Sequence, residues 1–295
     1  MKGVVLIPCW RRPDFLWACL ERLFLADGWE HYNVILSIDR DSHEDVDRIA
    51  TEATLRAPHR VRIIRPGQHA YTGNSFNVLH AYQMAINICP EHGHVHLVEE
   101  DVFVARGYFR FHEAAHHAAP ACFCVSACRD QNAPLPAILP TDAPAWIYER
   151  PTYQSLGVSF RPQMVRRFLS FATPEYFADP AAHLKRAFPC SRIPYGQAEQ
   201  DGLIGRMLED LFVGMDRPGA MYPLVPRAAH YGFAGYNRSG GLPLQDGTAE
   251  ERGATILAMT DEQLNARADA RYRDITRCEL ERADPADLVL RVAVA

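Results

Sequence analysis

Three consecutive carboxylates stand where an apolar run ends. In His96-Leu-Val-Glu-Glu-Asp-Val102 the residues 95–98 have the length of a buried strand, and Glu99, Glu100 and Asp101 follow at its tip. Like charges this crowded cannot share a poorly solvated site unless a cation compensates them. A divalent ion does so, and an all-oxygen ligand set favours Mg2+ or Mn2+, ions commonly shared with substrate phosphates. Taken alone, an acidic triplet equally suits a solvated strand end. Two further residues hold comparable positions. Asp39 follows a second apolar run, where it can accept the N–H of a base or a ribose hydroxyl, and Arg11 follows the first, where it can pair with a diphosphate. Singly, such an Asp is a turn former and such an Arg a solvated loop residue. In order on consecutive strands, they form a set of base, phosphate and metal ligands.

The elements that must position these residues are legible from periodicity. Residues 3–7 form a short β-branched run suited to a strand buried on both faces, and residues 13–26 carry apolar side chains at helical spacing behind Pro13. The unit recurs: a strand over 33–38 and a helix over 44–57 capped by Ser42, a strand over 61–65 and a helix over 74–88, then a strand over 95–98. Three such units predict a doubly wound parallel sheet, whose ligands gather beyond the carboxyl ends of its strands. Arg11, Arg12, Asp39, Asp41, His69 and Glu99 to Asp101 are the residues that fall there. Beyond residue 120 the pattern loosens. A strand is expected over 121–127, loop over 132–144, a strand over 158–160, an Arg-rich helix over 162–171, a mobile Pro-rich excursion over 173–194 and a helix over 199–212. Residues 230–241 read as a Gly- and aromatic-rich closing loop, and the tail from 248 as mainly helical. The final run 288–295 suits either a sheet edge or a contact between copies.

Composition sets the limits. The 295 residues are 48% hydrophobic, enough for a full-sized core, and 31 Lys+Arg against 36 Asp+Glu leave a net charge of −5, so no basic face is guaranteed. Only Lys2 and Lys185 are lysines; the positive charge is otherwise Arg. Eight cysteines are too sparse for a disulfide framework, and residues 4–7 are far short of a spanning helix, so a cytoplasmic chain with no signal peptide and no membrane anchor is expected. Cys122 and Cys124 are expected on one face of a strand as small hydrophobes, with no second pair for zinc, and His112, His116 and His117 on a helix surface. Neither a Gly-x-Ser-x-Gly elbow nor a phosphate-binding Gly-rich loop of the P-loop or Rossmann type occurs.

The arrangement resembles the GT-A glycosyltransferases, which take a nucleotide-sugar donor and hold a metal on a DXD-type acidic motif. Residues 7–13, Ile-Pro-Cys-Trp-Arg-Arg-Pro, look like the opening of the family-two group. Similarity to N-acetylglucosaminyltransferase I and its relatives is closer: their Glu-Asp-Asp matches Glu99-Glu100-Asp101, and Cys9-Trp10-Arg11, the Asp after the second strand, the His segment at 69–74 and Cys124-Val-Ser-Ala127 followed by Asp130 keep order and spacing. The middle acid is Glu100, one methylene longer than the family's Asp, and the glycine is Gly73 where Asn74 would match. The resemblance covers about 3–241 and implies a GT-A type α/β fold, a Rossmann-like, mostly parallel central sheet flanked by helices, with an irregular acceptor-side C-terminal half. It implies further that Asp39 reads a uracil-like base, Arg11 and His69 approach the nucleotide, Asp101 ligates the metal, and Glu99 and Glu100 hold ribose or sugar. An inverting transfer needs a carboxylate to take the acceptor's proton, and the family places it at a helix start, here Asp201 first and Glu199 second. His230 resembles the late histidine offered to the metal or diphosphate.

The expected function is therefore transfer of a hexose-type sugar from a UDP-sugar, with Mn2+ or Mg2+, to a glycan or to a hydroxymethylated base in DNA, the latter suggested by arginines and tyrosines in the second half. A nucleotidyltransferase acting on a sugar phosphate and a non-catalytic nucleotide-sugar-binding module are the alternatives. The expected division is nucleotide-sugar binding in 1–130, acceptor and catalysis in 131–247, and a helical extension over 248–295.

Overall fold

The computed structural model describes residues 1–66, 73–130, 141–213, 219–232, 244, 246–267 and 279–293. Its centre is a nine-stranded sheet in the order β11-β7-β9-β6-β8-β4-β1-β2-β3. The half built from β1 (Gly3–Cys9), β2 (Tyr32–Ile38), β3 (Val61–Ile64) and β4 (His94–Leu97) is parallel throughout, in the 3-2-1-4 order of a doubly wound fold. Its connections are α1 (Pro13–Leu25), α2 (Glu44–Arg56) and α3 (Asn74–Ile86). Beyond β4 the sheet is mixed. β8 (Val158–Phe160) runs antiparallel between β4 and β6 (Cys124–Ser126), while β9 (Ala220–Pro223) is parallel to β6. β7 (Trp146–Arg150) is antiparallel to β9, and β11 (Arg291–Ala293) closes the edge parallel to β7. The chain is thus a mixed α/β protein whose large sheet is mostly parallel and flanked by helices. A second, two-stranded sheet pairs β5 (Val102–Val104) with β10 (Ala228–His230), antiparallel.

Alternation along β1 explains why it must be central. Val5, Ile7 and Cys9 enter the core under α1 and α2, Val4 and Leu6 the core under α3, and all seven residues are buried. The first core continues under α4 (Tyr108–Ala118) and α9 (Ala249–Ala258). The second continues under α5 (Pro162–Leu169) and α8 (Gln200–Val213). α9 crosses α1 closely at Gly253, where a Cβ would come within 2.5 Å of the Trp17 ring.

Several expectations need correction. The N-cap of α2 is His43, whose Nδ1 accepts from Asp45 N, and not Ser42. The Pro-rich stretch after residue 173 forms α6 (Pro174–Ala178) and α7 (Pro180–Ala187), because Pro174 and Pro180 occupy first-turn positions that need no N–H while Thr173 and Asp179 cap them. Cys122 and Cys124 pack into different cores, since regular pairing starts only at Cys124. His112 and His116 are buried and only His117 is exposed. The run at the C-terminus is resolved in favour of a sheet edge by β11, and helix in the tail is confined to α9 and α10 (Asp261–Arg267) among the described residues. No helix among them is long and apolar enough to cross a membrane. His69 and most of the 230–241 loop lie outside the described residues.

Candidate functional site

Parallel β1, β2 and β4 end on the same edge of the sheet, and residues after β1 and β4 meet there. After β1, the Trp10 N–H donates to Glu100 Oε2 at 3.2 Å. Arg12, just before α1, lays its guanidinium across the acid cluster, with Nε 2.7 Å from Glu100 Oε1 and Nη1 2.6 Å from Asp101 Oδ2. The β5 and β10 pairing opposes His230 to Val102, which brings His230 Nε2 to 3.2 Å from Asp101 Oδ2 while Tyr231 N–H donates to Asp101 O at 2.7 Å. Asp101 Oδ1 is buried and has no hydrogen-bond partner. Gly232 leaves this place open: a Cβ there would stand 2.2 Å from Asp101 Oδ2 and 2.6 Å from His230 Nε2.

The electrostatics follow from this packing. Burial alone would raise Asp101, but Arg12 and His230 outweigh it and hold its carboxyl well below the usual carboxylate range. Glu100 is raised, because burial exceeds the help it receives from Arg12 and Trp10 N–H. Glu99 is pushed up to about 7 by burial and by the negative charges of Asp101 and Asp201.

Asp201 reaches the same cluster from a different part of the chain. The start of α8 is fixed by a reciprocal pair in which Gln200 N–H donates to Ser75 Oγ at 3.1 Å and Ser75 donates to Gln200 Oε1 at 2.9 Å. Asp201 Oδ2 then lies 3.2 Å from Ser155 Oγ, and the same hydroxyl hydrogen-bonds Glu99. Asp201 keeps an exposed surface, while the protein groups around it displace part of its hydration. That desolvation, opposed by the Ser155 hydrogen bond and reinforced by Glu199, moves it up to about 6. Glu199 is exposed outside the helix.

Sequence-derived candidates separate accordingly. Glu99, Glu100, Asp101, His230 and Asp201 converge. Asp39 stands half-buried one strand over, raised chiefly by burial, with its N–H on Cys9 O at 2.9 Å and its Oδ1 accepting from Arg40 N. Arg11 points outward, its Nε donating to Asp41 O at 2.9 Å and its guanidinium 4.8 Å from the Trp10 ring centre. The inward cation is its neighbour Arg12, which the sequence places at the same strand end without assigning it the nucleotide role given to Arg11. Ser155 was missed, as was Arg206, a buried guanidinium that donates to the carbonyls of Ile193, Pro194, Gln197 and Gly202 and so ties the loop before α8 to the helix. Arg12 had a readable signal, an arginine immediately before a first-turn proline and three residues after a strand; the other two had none. Asp130 is buried against Arg150 Nε at 3.0 Å.

Among the described residues no group of three or more His, Cys, Asp or Glu side chains forms a ready metal cage. The two-residue set of Asp101 and His230 nonetheless suits a divalent ion that takes its remaining ligands from a diphosphate: one carboxylate oxygen is orphaned, an imidazole converges on the other, and Gly232 keeps the space clear.

No protein-family model and no curated protein matches the chain. Among solved structures, the galactosyltransferase LgtC in complex with donor and acceptor sugar analogs is similar at 10% identity and a TM-score of 0.47, over 92% of this chain and 99% of that one. The mannosyltransferase PcManGT from Pyrobaculum calidifontis, in complex with GDP-Man and Mn2+, is similar at 12% identity and 0.44, over 74% and 72%. S. aureus TarS 1-349 is similar at 11% and 0.45, over 75% of this chain and 58% of that one. At these values the likenesses fix no family.

Proposed function

We propose that this chain is a glycosyltransferase that moves a sugar from a UDP-sugar to an acceptor hydroxyl with inversion, in the presence of Mn2+ or Mg2+. The observation that carries this reading is the meeting, in one cleft, of an acid and imidazole pair suited to a metal diphosphate with a separate carboxylate suited to proton removal. Asp39 binds the base, Arg11 the nucleotide from the cleft rim, and Glu99 and Glu100 the ribose or sugar. Asp101 and His230 would hold the ion, whose chemistry is to offset charge on the departing diphosphate. As the acceptor oxygen bonds to the anomeric carbon, the bond from that carbon to the diphosphate oxygen breaks and its electron pair leaves with UDP. Asp201 takes the acceptor's proton, and its raised affinity for protons makes it a stronger base than an ordinary Asp. The acceptor is a glycan or a hydroxymethylated base in DNA; steep salt dependence of acceptor binding selects the latter.

Calorimetry with UDP, with and without Mn2+, followed by a screen of UDP-sugars for hydrolysis and transfer, tests the proposal. Metal-dependent UDP binding and turnover of one sugar are expected, with turnover lost in Asp101→Asn. Undiminished turnover in that variant overturns the assignment of Asp101, and UDP binding without turnover of any donor points to a binding module instead.

A further inference from the structure

We infer that Arg12 is a resident counter-cation that a divalent ion must displace from Asp101, so that the free ion is kept out and enters only together with a nucleoside diphosphate. The inference rests on the metal reading above and concerns the order in which that site fills. Asp101 Oδ2 already receives Arg12 Nη1 at 2.6 Å and faces His230 Nε2 at 3.2 Å, while Glu100 is saturated by Arg12 Nε on one oxygen and Trp10 N–H on the other. An ion bound to Asp101 and His230 would therefore sit within a few ångströms of a guanidinium.

Competition for one oxygen decides the outcome. A dication alone reaches Asp101 only by displacing the Arg12 guanidinium from Oδ2, which would set two cations against each other at that carboxylate. A diphosphate entering with the ion offers the planar guanidinium fork a second partner. Arg12 is the member that reaches solvent: its side chain is 25% exposed, whereas those of Glu100 and Asp101 are each at 5%, so an entering diphosphate meets the guanidinium first. The Phe15 ring, 5.5 Å from the guanidinium carbon, gives the fork an apolar surface to slide over.

The test measures Mn2+ binding, alone and with UDP, by the spectroscopic signal of free Mn2+ and by thermal shift, in the wild-type chain, Arg12→Gln and Arg12→Lys. Wild type should bind Mn2+ alone weakly and bind it far better with UDP. Arg12→Gln should bind Mn2+ alone about tenfold tighter or more, as expected when a like charge a few ångströms away is removed, and Mn2+ alone should raise its melting temperature but not that of wild type. Arg12→Lys, which keeps the charge but loses the fork, should lie between and serves as the reading if Arg12→Gln does not fold. Mn2+ affinity that is unchanged or weaker in both variants, with UDP-dependent Mn2+ binding intact in wild type, overturns the inference and leaves the proposed function standing. Absence of Mn2+ binding in every protein, even with UDP, overturns both.

Discussion

Asp201 and Glu199 lie two residues apart, and only the fold separates their roles. The helix start tied down by Gln200 and Ser75 turns Asp201 to Ser155 and Glu99 and leaves Glu199 in solvent. Asp201→Asn should therefore reduce kcat by about 10²- to 10⁴-fold, the range for loss of a general base, with UDP binding retained, whereas Glu199→Gln should lower it only slightly. Steady-state kinetics beside UDP titration separates the two, and equal losses in both variants would remove Asp201 from its role. The pH profile carries the same information: with Asp201 moved up to about 6, activity should fall as pH drops through that value rather than through the ordinary Asp range near 4. Legibility at this scale was uneven. Carboxylates after a strand announce themselves, but which of Arg11 and Arg12 turns inward depends on the angle at which α1 leaves β1, and that angle is set by helix packing rather than by either residue.

Elements show a different kind of error in α4. Three histidines within six residues suggested a polar helix face, yet His112 and His116 meet His94 and His96, which alternation on β4 directs to the same side of the sheet. Ser159 of β8 joins the group at 2.6 Å from His112 Nδ1 and 2.9 Å from His116 Nε2. The partners lie in separate elements, so the helix alone could not reveal them. Burial first lowers all four; Arg161 adds to it at His94 and His116, and neighbouring histidines add to it at His96, His112 and His116, so that His94 falls to about 4 and the other three lie well below their ordinary value. In the unfolded chain these groups protonate near pH 6.5 while the folded chain resists, so the stability they lend is complete above about pH 6.5 and is lost as pH falls below it. Glu99 and Asp201 act with opposite sign over about pH 7 to 4, as do Glu100 and Asp39, their raised values favouring the folded state at the acid end. Three of the histidines are lowered well below their ordinary value and Asp101, held low, acts with them, so the balance is a net acid loss. Melting temperatures from about pH 7 to 4.5 should fall, less steeply in His116→Asn and just as steeply in His117→Gln; a flat profile would show the cluster already charged in the fold.

At the scale of the whole molecule, the site is assembled by closing loops that span most of the chain, from Arg12 through Glu99 to Asp101, Ser155 and Asp201 to His230. The parallel half of the sheet was legible because each βα unit repeats one period. The other half was legible only in part: strands at β6 and β8 and helices at α5 and α8 are expected from the sequence, but β5, β7, β9 and β10 are three to five residues long and take partners distant in sequence, and local pattern does not encode the antiparallel direction of β8. What holds this half in place is a buried ion pair. Arg227, fully buried just before β10, grips Asp284 with two hydrogen bonds of 2.9 Å and donates to Pro144 O at 2.8 Å, while Arg106 and Gly107 N–H groups bond the neighbouring carbonyls of Leu280 and Arg282. Removing one partner strands the other charge away from water, so Arg227→Met or Asp284→Leu should each cost about 3–5 kcal/mol in denaturant unfolding. The double variant should lose less than the sum of the two, because no charge is left stranded. His230, the last residue of β10, is three residues from Arg227, which immediately precedes that strand. Arg227→Met should therefore also weaken UDP-dependent Mn2+ binding in the folded fraction, an effect the double variant retains because it restores charge balance without restoring the anchor. Full additivity in stability, together with unaltered Mn2+ binding, would mean that β10 is positioned by β5 alone.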